Sequence, residues 1–378
     1  MRAEPVGAVS PSPSELTNVF GREIPLAHGE YAAEYRAVTE SVALLPAPWE
    51  VSLSVRGRDA GAFLQNLLTQ DILSLDDGAS VPAALASRKG HLEADLRVAR
   101  FGDGFRIRLQ RRLVDSFIET LDRYRIVEDV AWETDPEPSV SYLLVGPKAI
   151  TTLERLVKEA QATAEAATNE SSTALEQAQS GFAPQFGDGA HWMTVSEVTA
   201  EDVFVSIPAG SAASFQSWTG EQGVPMTGWK AFDVARIRAG RAWFGIDADE
   251  ARLVPEPGFA DRISYEKGCY LGQETIARLH YRGKLNWKLE SLRFDANSPT
   301  GPSAAPGADL LSDGNRVGWL TSTAVTPDGT GVALGYLHRK ARESGGALTL
   351  ASGLLLSPVS PGSTLTCHVD STNLDNDS

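Results

Sequence analysis

The sequence predicts an α+β protein with a β-rich C-terminal domain. Strand and helix periodicities are mixed up to Gly283, without a regular alternation of strand and crossover helix. The texture changes after Gly283. Residues 285–370 show short alternating stretches divided by Gly, Pro, Asp and Asn, with no long helical pattern, which is the signature of a small antiparallel barrel or sandwich. A chain of 378 residues also exceeds one ordinary core, so two or three domains are expected.

In chain order, residues 1–25 begin "MRAEPVGAVSPSPSEL" and read as a flexible Pro/Ser arm with no apolar core of a secretory signal. Val51, Leu53 and Val55 alternate with polar residues, which predicts a half-buried strand. Asp59 then stands where it could cap a helix whose Phe63, Leu64, Leu67 and Leu68 share a face. Phe105, Ile107 and Leu109 form another strand, and Val114, Phe117, Ile118 and Leu121 fall at helical spacing. "SYLLVGPKAITTLERLVKEA" predicts a strand, a Gly-Pro turn and a helix. Its continuation, residues 161–181, is rich in Ala, Glu, Gln and Ser and reads as a mobile surface insertion. Val203, Val205 and Ile207 resume strand alternation, and a helix over "KAFDVARIRAG" stops at Gly240, a good C-cap. The lobes expected from this pass are 26–140 and 141–284, followed by the β domain at 285–370 and a tail at 371–378.

Composition narrows the function classes. A content of 42% apolar and 22% charged residues suits a globular protein, and no apolar run approaches the 18 or so residues of a spanning helix, so no membrane is expected. Two cysteines without an export signal suggest free thiols in a reducing compartment, with the cytoplasm as the default location. The net charge of −15 opposes broad phosphate-backbone binding, so no direct nucleic-acid partner is expected. One segment departs from that charge. Arg278-Leu-His-Tyr-Arg282-Gly-Lys284-Leu-Asn-Trp-Lys288 is basic and aromatic, and is either a solvated face or a cradle for an anionic ligand.

The chemistry-bearing candidate is Cys269 in "EKGCYLGQETIARLHYRG". Residues from Gln273 onward suit a helix, so the thiol lies near a helix N-terminus with Lys267 two residues away; both would favour the thiolate. Gly268 and Gly272 let the backbone take positive φ or approach a ligand closely. Cys367, alternating with Leu365 and Val369, reads as a core residue of a strand. No Cys-x-x-Cys pair and no His/Cys quartet is present, so a closed metal site is not expected, and a metal centre on Cys269 would need further ligands from a partner or a small molecule. Dinucleotide, P-loop and Ser-elbow motifs are also missing.

"KGCYLGQE", Lys267 to Glu274, resembles the Lys-Gly-Cys-Tyr-x-Gly-Gln-Glu signature of the YgfZ-like folate-binding proteins. These are relatives of the T-protein, the aminomethyltransferase of the glycine cleavage system. "RIRAGRAWFGIDADEARLVPE" and "ARLHYRGKLNWKL" extend the likeness on either side, and "FLQNLLTQDI", "ASRKGHLEADLRV" and "SYLLVGPKAITTLERL" extend it more weakly into the N-terminal half. The resemblance implies three lobes around an opening that holds tetrahydrofolate or a related reduced folate, with 26–140 as the folate-binding lobe, and a self-contained monomer. It further implies an accessory role in assembling or repairing the iron–sulfur clusters of client proteins, such as radical tRNA-modifying enzymes. Cys269 would then be the central group, with a transient cluster ligand as one of its possible roles. Lys267 would favour its thiolate, while Tyr270, Gln273 and Glu274 would position ligand or partner.

Residue-by-residue comparison with the T-protein pattern gives the folate candidates. Asp95 in "KGHLEADL" falls on the aspartate that contacts folate and assists transfer; Glu201 in "SEVTAEDVFVSIP" falls on the glutamate that grips the pterin, although the flanking glycines are gone. In Ala231-Phe-Asp-Val-Ala-Arg236-Ile-Arg-Ala-Gly240 the first arginine and the glutamate of the transferase pattern are Phe232 and Arg238. Arg236 remains, and could pair a folate glutamate tail or brace the fold; Arg282 is a second candidate for the tail. The scaffold is kept while the transferase pattern is eroded, so a working aminomethyltransferase is the alternative reading. A non-catalytic interaction protein with a vestigial folate pocket is a second alternative.

Overall fold

Two five-stranded antiparallel sheets and one closed six-stranded barrel take up the alternating segments. The computed structural model describes residues 15–134, 138–168, 180–182 and 190–359. In chain order these hold a hairpin, β1 (Leu16–Val19) and β2 (Arg22–Pro25), then α1 (Tyr31–Glu40), β3 (Ala43–Pro46), β4 (Glu50–Arg56) and α2 (Ala60–Leu67). Strands β5 (Ser80–Ala86), β6 (Leu92–Phe101) and β7 (Gly104–Gln110) follow, with α3 (Val114–Tyr124), β8 (Ala131–Thr134) and β9 (Ser139–Val145). Next come α4 (Ala149–Thr168), β10 (Ser180–Phe182), β11 (His191–Thr194), β12 (Val203–Pro208), α5 (Ala212–Glu221), α6 (Trp229–Arg238) and α7 (Gln273–Arg282). The C-terminal part is β13 (Trp287–Asp295), β14 (Asp309–Ser312), β15 (Asn315–Val325), β16 (Thr330–His338), α8 (Arg339–Ser344), β17 (Leu348–Thr349) and β18 (Leu355–Pro358).

The first sheet has the order β5-β6-β7-β4-β8 and the second β10-β11-β12-β9-β3. Strand β3 pairs with β9, Leu44 opposite Leu144, so the second sheet draws a strand from residues 43–46 and the lobes do not divide at one point of the chain. The reason is local: Ala43, Leu44 and Leu45 are all buried and need cover on both faces, which a place at the edge of the second sheet, between two hydrophobic cores, supplies.

Three further expectations change. Residues 16–25, read as flexible arm, form the β1–β2 hairpin, turned by Phe20 and Gly21 at positive φ. Asp59 makes no side-chain cap to α2; its carboxylate accepts the Asp129 N–H at 2.8 Å instead and ties the α2 start to the loop after α3. Within the proposed insertion, residues 161–168 continue α4, and 169–179 lie outside the described residues. Cys367 and the tail at 371–378 lie outside them as well.

The barrel runs β13-β16-β15-β14-β17-β18. Strand β16 shows how it docks. Ala333 and Leu337 point into the barrel's own core with Leu292, Leu310 and Leu320, while Val332, Leu334 and Tyr336 join the core of the first sheet. A strand covered on both faces reads as a nearly continuous apolar run, and "GVALGYL" is one. The barrel and the first lobe therefore share a hydrophobic core. No helix among the described residues is long and apolar enough to cross a membrane.

Candidate ligand cavity and thiol loop

Strand alternation places charge at the junction of the lobes. On β6, Ala94, Leu96 and Val98 enter the core, so Asp95 and Arg97 project from the other face. Arg108 on β7 sits directly opposite Arg97 in the ladder. Two neighbouring guanidinium groups repel unless carboxylates stand between them, and the structure supplies these. Arg108 donates to Glu50 of β4 at 2.9 Å and to Glu197, in the loop after β11, at 2.6 Å. Glu197 also accepts the indole N–H of Trp243 at 2.5 Å. Asp95 accepts from Arg262 at 3.1 Å, and Arg97 donates to Ser80 and Thr194 hydroxyls at 3.1 Å. The charged groups and Trp243 line a cavity of about 40 Å³, and buried Arg108 Nε has no hydrogen-bond partner there among the described residues.

Electrostatics follow from burial with one shared cation. Burial pushes the Glu50 carboxyl up to about 7, against the pull of Arg108. Asp95 is also raised by burial, which the Arg262 guanidinium only partly offsets. Burial would raise Glu197 too, but Arg108 and the Trp243 bond outweigh it and hold this carboxylate below its ordinary range. Arg97, buried beside two other guanidinium groups, falls to about 10. The cavity thus holds one carboxylate lowered by its partners, Glu197, beside two that burial raises, Glu50 and Asp95.

Of the two carboxylates that the sequence pattern selects, Asp95 lines this cavity and Glu201 does not: Glu201 is exposed on a turn, its N–H donated to the Thr199 hydroxyl at 3.1 Å. Asp202 explains the exchange. Its buried carboxylate accepts the N–H groups of Glu197, Val198 and Thr199 at 3.1, 2.6 and 2.9 Å and that of Gly146 at 2.8 Å. The loop is thereby rolled so that Glu197 faces Arg108 and Glu201 faces solvent. Asp202 at a turn after a polar run was the available sequence signal. Glu50, Arg97, Arg108, Trp243 and Arg262 gave no signal, because each is ordinary until distant parts of the chain meet at one point.

Arg236 resolves to a brace and not to a tail-binding group. Fully buried, it donates to Asp233 at 2.7 Å, Asp247 at 2.6 Å, the Arg241 carbonyl and Ser322. Asp247 in turn accepts from Thr321 and Ser322 of β15 at 2.7 and 2.6 Å, which fastens α6 to the barrel. Arg282 is exposed on the last turn of α7 and does not line the cavity.

The thiol lies elsewhere. Cys269 is exposed and free, and lines an open pocket of about 530 Å³ with Phe63, Asn66 and Leu67 of α2, Tyr124, Tyr270 and Leu271. Its loop is stitched to the end of α2: Leu271 N–H reaches the Asn66 carbonyl at 3.1 Å, and Ser264 N–H the Thr69 carbonyl at 3.0 Å. Lys267 Nζ donates to the carbonyls of Gln65, Leu68 and Gln70 at 2.6, 2.7 and 2.7 Å. All three ammonium hydrogens are committed to backbone, leaving none for the thiol, so Lys267 fixes the loop rather than bonding the sulfur; burial lowers its pKa to about 8. Tyr270 is buried beneath that ammonium, and its N–H reaches Gln273 Oε1 at 3.3 Å, so Gln273 holds the loop from the helix side. Glu274 is exposed. Gly272, at φ +80°, is required as glycine because a Cβ would overlap the Ser87 carbonyl. No group of three or more His, Cys, Asp or Glu side chains is arranged to hold a metal ion among the described residues.

Residues 11–180 match the model of the GCVT N-terminal domain. The chain is 26% identical to an aminomethyltransferase of Rubrobacter xylanophilus over 86% of its own length and 83% of the relative's. It is also 26% identical to a tRNA-modifying protein YgfZ of Yersinia pseudotuberculosis, over 74% and 79% of the two lengths. Among solved structures it is similar to the glycine cleavage system aminomethyltransferase T of Bartonella henselae, with a TM-score of 0.78, 19% identity and coverage of 92% and 94%. That likeness extends the shared fold through the barrel.

Proposed function

The chain is a YgfZ-like member of the GCVT superfamily, and from that footing we propose that it is a reduced-folate-binding accessory protein for iron–sulfur cluster proteins, acting through Cys269. The observation that carries the reading is the exposed thiol on a loop held by Lys267, Gln273 and the end of α2, apart from the charged cavity. A thiol kept only for packing would be buried.

Folate suits the cavity in chemistry. The ionised Glu197 carboxylate can accept paired N–H groups from a pterin edge, and Asp95 can take up or return a proton at a ring nitrogen. The orphaned Arg108 Nε is a donor awaiting an acceptor. The room, about 40 Å³, is smaller than ligand sites of about 300–1,000 Å³, so taking a pterin would require the lining side chains to move apart. When bound, the folate supplies a one-carbon-carrying, redox-active ring; Asp95, Glu197 and Trp243 orient it and the lobes exclude water. At the second site, Cys269 would give a thiolate to an iron of a cluster in transit, its proton passing to solvent. The cluster is cargo.

The test is an anaerobic titration of wild type and Cys269→Ala with tetrahydrofolate, followed by cluster repair on a radical tRNA-modifying enzyme. Equal folate binding with repair by wild type alone supports the reading. Repair by both proteins removes Cys269 from the function. Turnover of an aminomethyl donor that survives Cys269→Ala but not Asp95→Asn would establish the transferase alternative. Client binding without any folate binding would make the pocket vestigial.

A further inference from the structure

We propose that the outer face of α7 binds a short stretch of single-stranded RNA. This goes beyond the folate and thiol sites and departs from the expectation that an acidic chain has no nucleic-acid contact.

Helix α7 buries Ile276 and turns Arg278, Tyr281 and Arg282 outward, three and four residues apart. Tyr281 is 67% exposed, a large ring left open to solvent. Beside it His280 stacks on Tyr265 with centroids 3.7 Å apart and planes 18° from parallel, and Tyr281 stands nearly perpendicular to His280 at 4.8 Å. The cluster is thus a fixed aromatic step at the surface. The guanidinium groups of Arg278 and Arg282 take no ion pair or hydrogen bond among the described residues. Glu274 is the single carboxylate on this helical face, and Lys284 just beyond it is paired with Glu343 at 3.1 Å.

Exposed rings flanked by free arginines match the needs of unpaired nucleotides. Bases stack on the rings, and guanidinium groups grip the phosphates on either side. A duplex backbone is a poorer fit, because neutralising many phosphates needs a broad basic surface that a chain of net charge −15 lacks. RNA offers unpaired, splayed bases as a standing feature of its loops and ends. The site spans two or three nucleotides.

The experiment is fluorescence anisotropy of labelled octauridine and octaadenosine titrated with the full chain at two salt concentrations. Contact with two phosphates predicts a logarithmic salt slope of about −1.4, or roughly sevenfold weaker binding for a fourfold rise in salt. Tyr281→Ala should weaken binding about tenfold, whereas Tyr281→Phe retains it, because stacking needs only the ring. The double variant Arg278→Gln/Arg282→Gln should flatten the slope. Absence of saturable binding at low salt, or a slope and affinity indifferent to these exposed substitutions, overturns the proposal. Folate titration of the same variants reports separately on the cavity, whose Asp95 and Glu197 lie on other elements.

Discussion

Lys267 places its ammonium 2.7 Å from the carbonyl oxygen of Leu68, the residue that ends α2. With Gln65 and Gln70 it forms a tripod on carbonyls that have no helical partner, at the negative end of the helix dipole. Replacement by methionine keeps the stem and removes the donors. Lys267→Met is expected to lower stability by about 1–3 kcal/mol and to speed hydrogen exchange at the Leu271 N–H. Lys267→Arg should not restore either property, because a planar fork cannot meet three convergent carbonyls. An arginine variant with wild-type melting and exchange would show that the lysine acts by charge alone.

Glu197 and Glu201 are separated by one turn of loop and by opposite exposures. Should the cavity take folate, Glu197→Gln loses a charge-assisted acceptor and is expected to weaken binding tenfold or more, from a loss of about 1.5–3 kcal/mol. Glu201→Gln should leave binding within experimental error. Isothermal titration of both variants decides the matter: a weakened Glu201 variant beside an intact Glu197 variant would return the contact to the residue that the motif pattern selects.

That contrast shows how far the sequence could be read. Periodicity found β4, α2, β7, α3, β12 and α6, because each buries one regular face: Val51, Leu53 and Val55 are all in the core, as are Phe63, Leu64 and Leu67. The barrel was visible from its turns, and the start of α7 from the helical run that begins at Gln273. Long-range placement was not visible. Strand β3 looks like any apolar tetrapeptide until β9 claims it, and Arg97 and Arg108 are ordinary outward residues of two strands until Glu197 closes over them from another lobe. Arg236 was legible as either ligand group or brace. Only the position of Asp247 decides it.

Glu50 makes stability depend on pH. Two carboxylates share the Arg108 guanidinium, and burial lifts the Glu50 carboxyl from an ordinary 4.5 to about 7. The folded state therefore holds a proton that the unfolded chain releases above about 4.5. The associated stability is fully present below that pH and is lost as pH rises through 7. Wild type should thus show a declining denaturation midpoint from pH 5 to 7, and Glu50→Gln, which resembles the protonated form, a flatter profile in that window. A wild-type midpoint that rises across the same range, with the glutamine variant unchanged, would mean that Glu50 is ionised at its site.

Arg236 should matter to the fold and not to the folate tail. Its buried guanidinium joins Asp233 and Asp247 where α6 meets β15. Arg236→Met would strand the Asp247 carboxylate, and breaking such a buried pair costs about 3–5 kcal/mol. A large drop in melting temperature is expected, while Asp247→Asn, which keeps hydrogen-bond partners for Thr321 and Ser322, should cost less. If the folate reading holds, tetrahydrofolate with one glutamate and with several should lose affinity equally in whatever fraction of Arg236→Met stays folded. A selective loss for the polyglutamylated form would mean that the arginine leaves its brace to meet the tail. The bonds that Arg236 itself makes to Asp233, Asp247, the Arg241 carbonyl and Ser322 argue against that movement, since each would have to break before the side chain could turn.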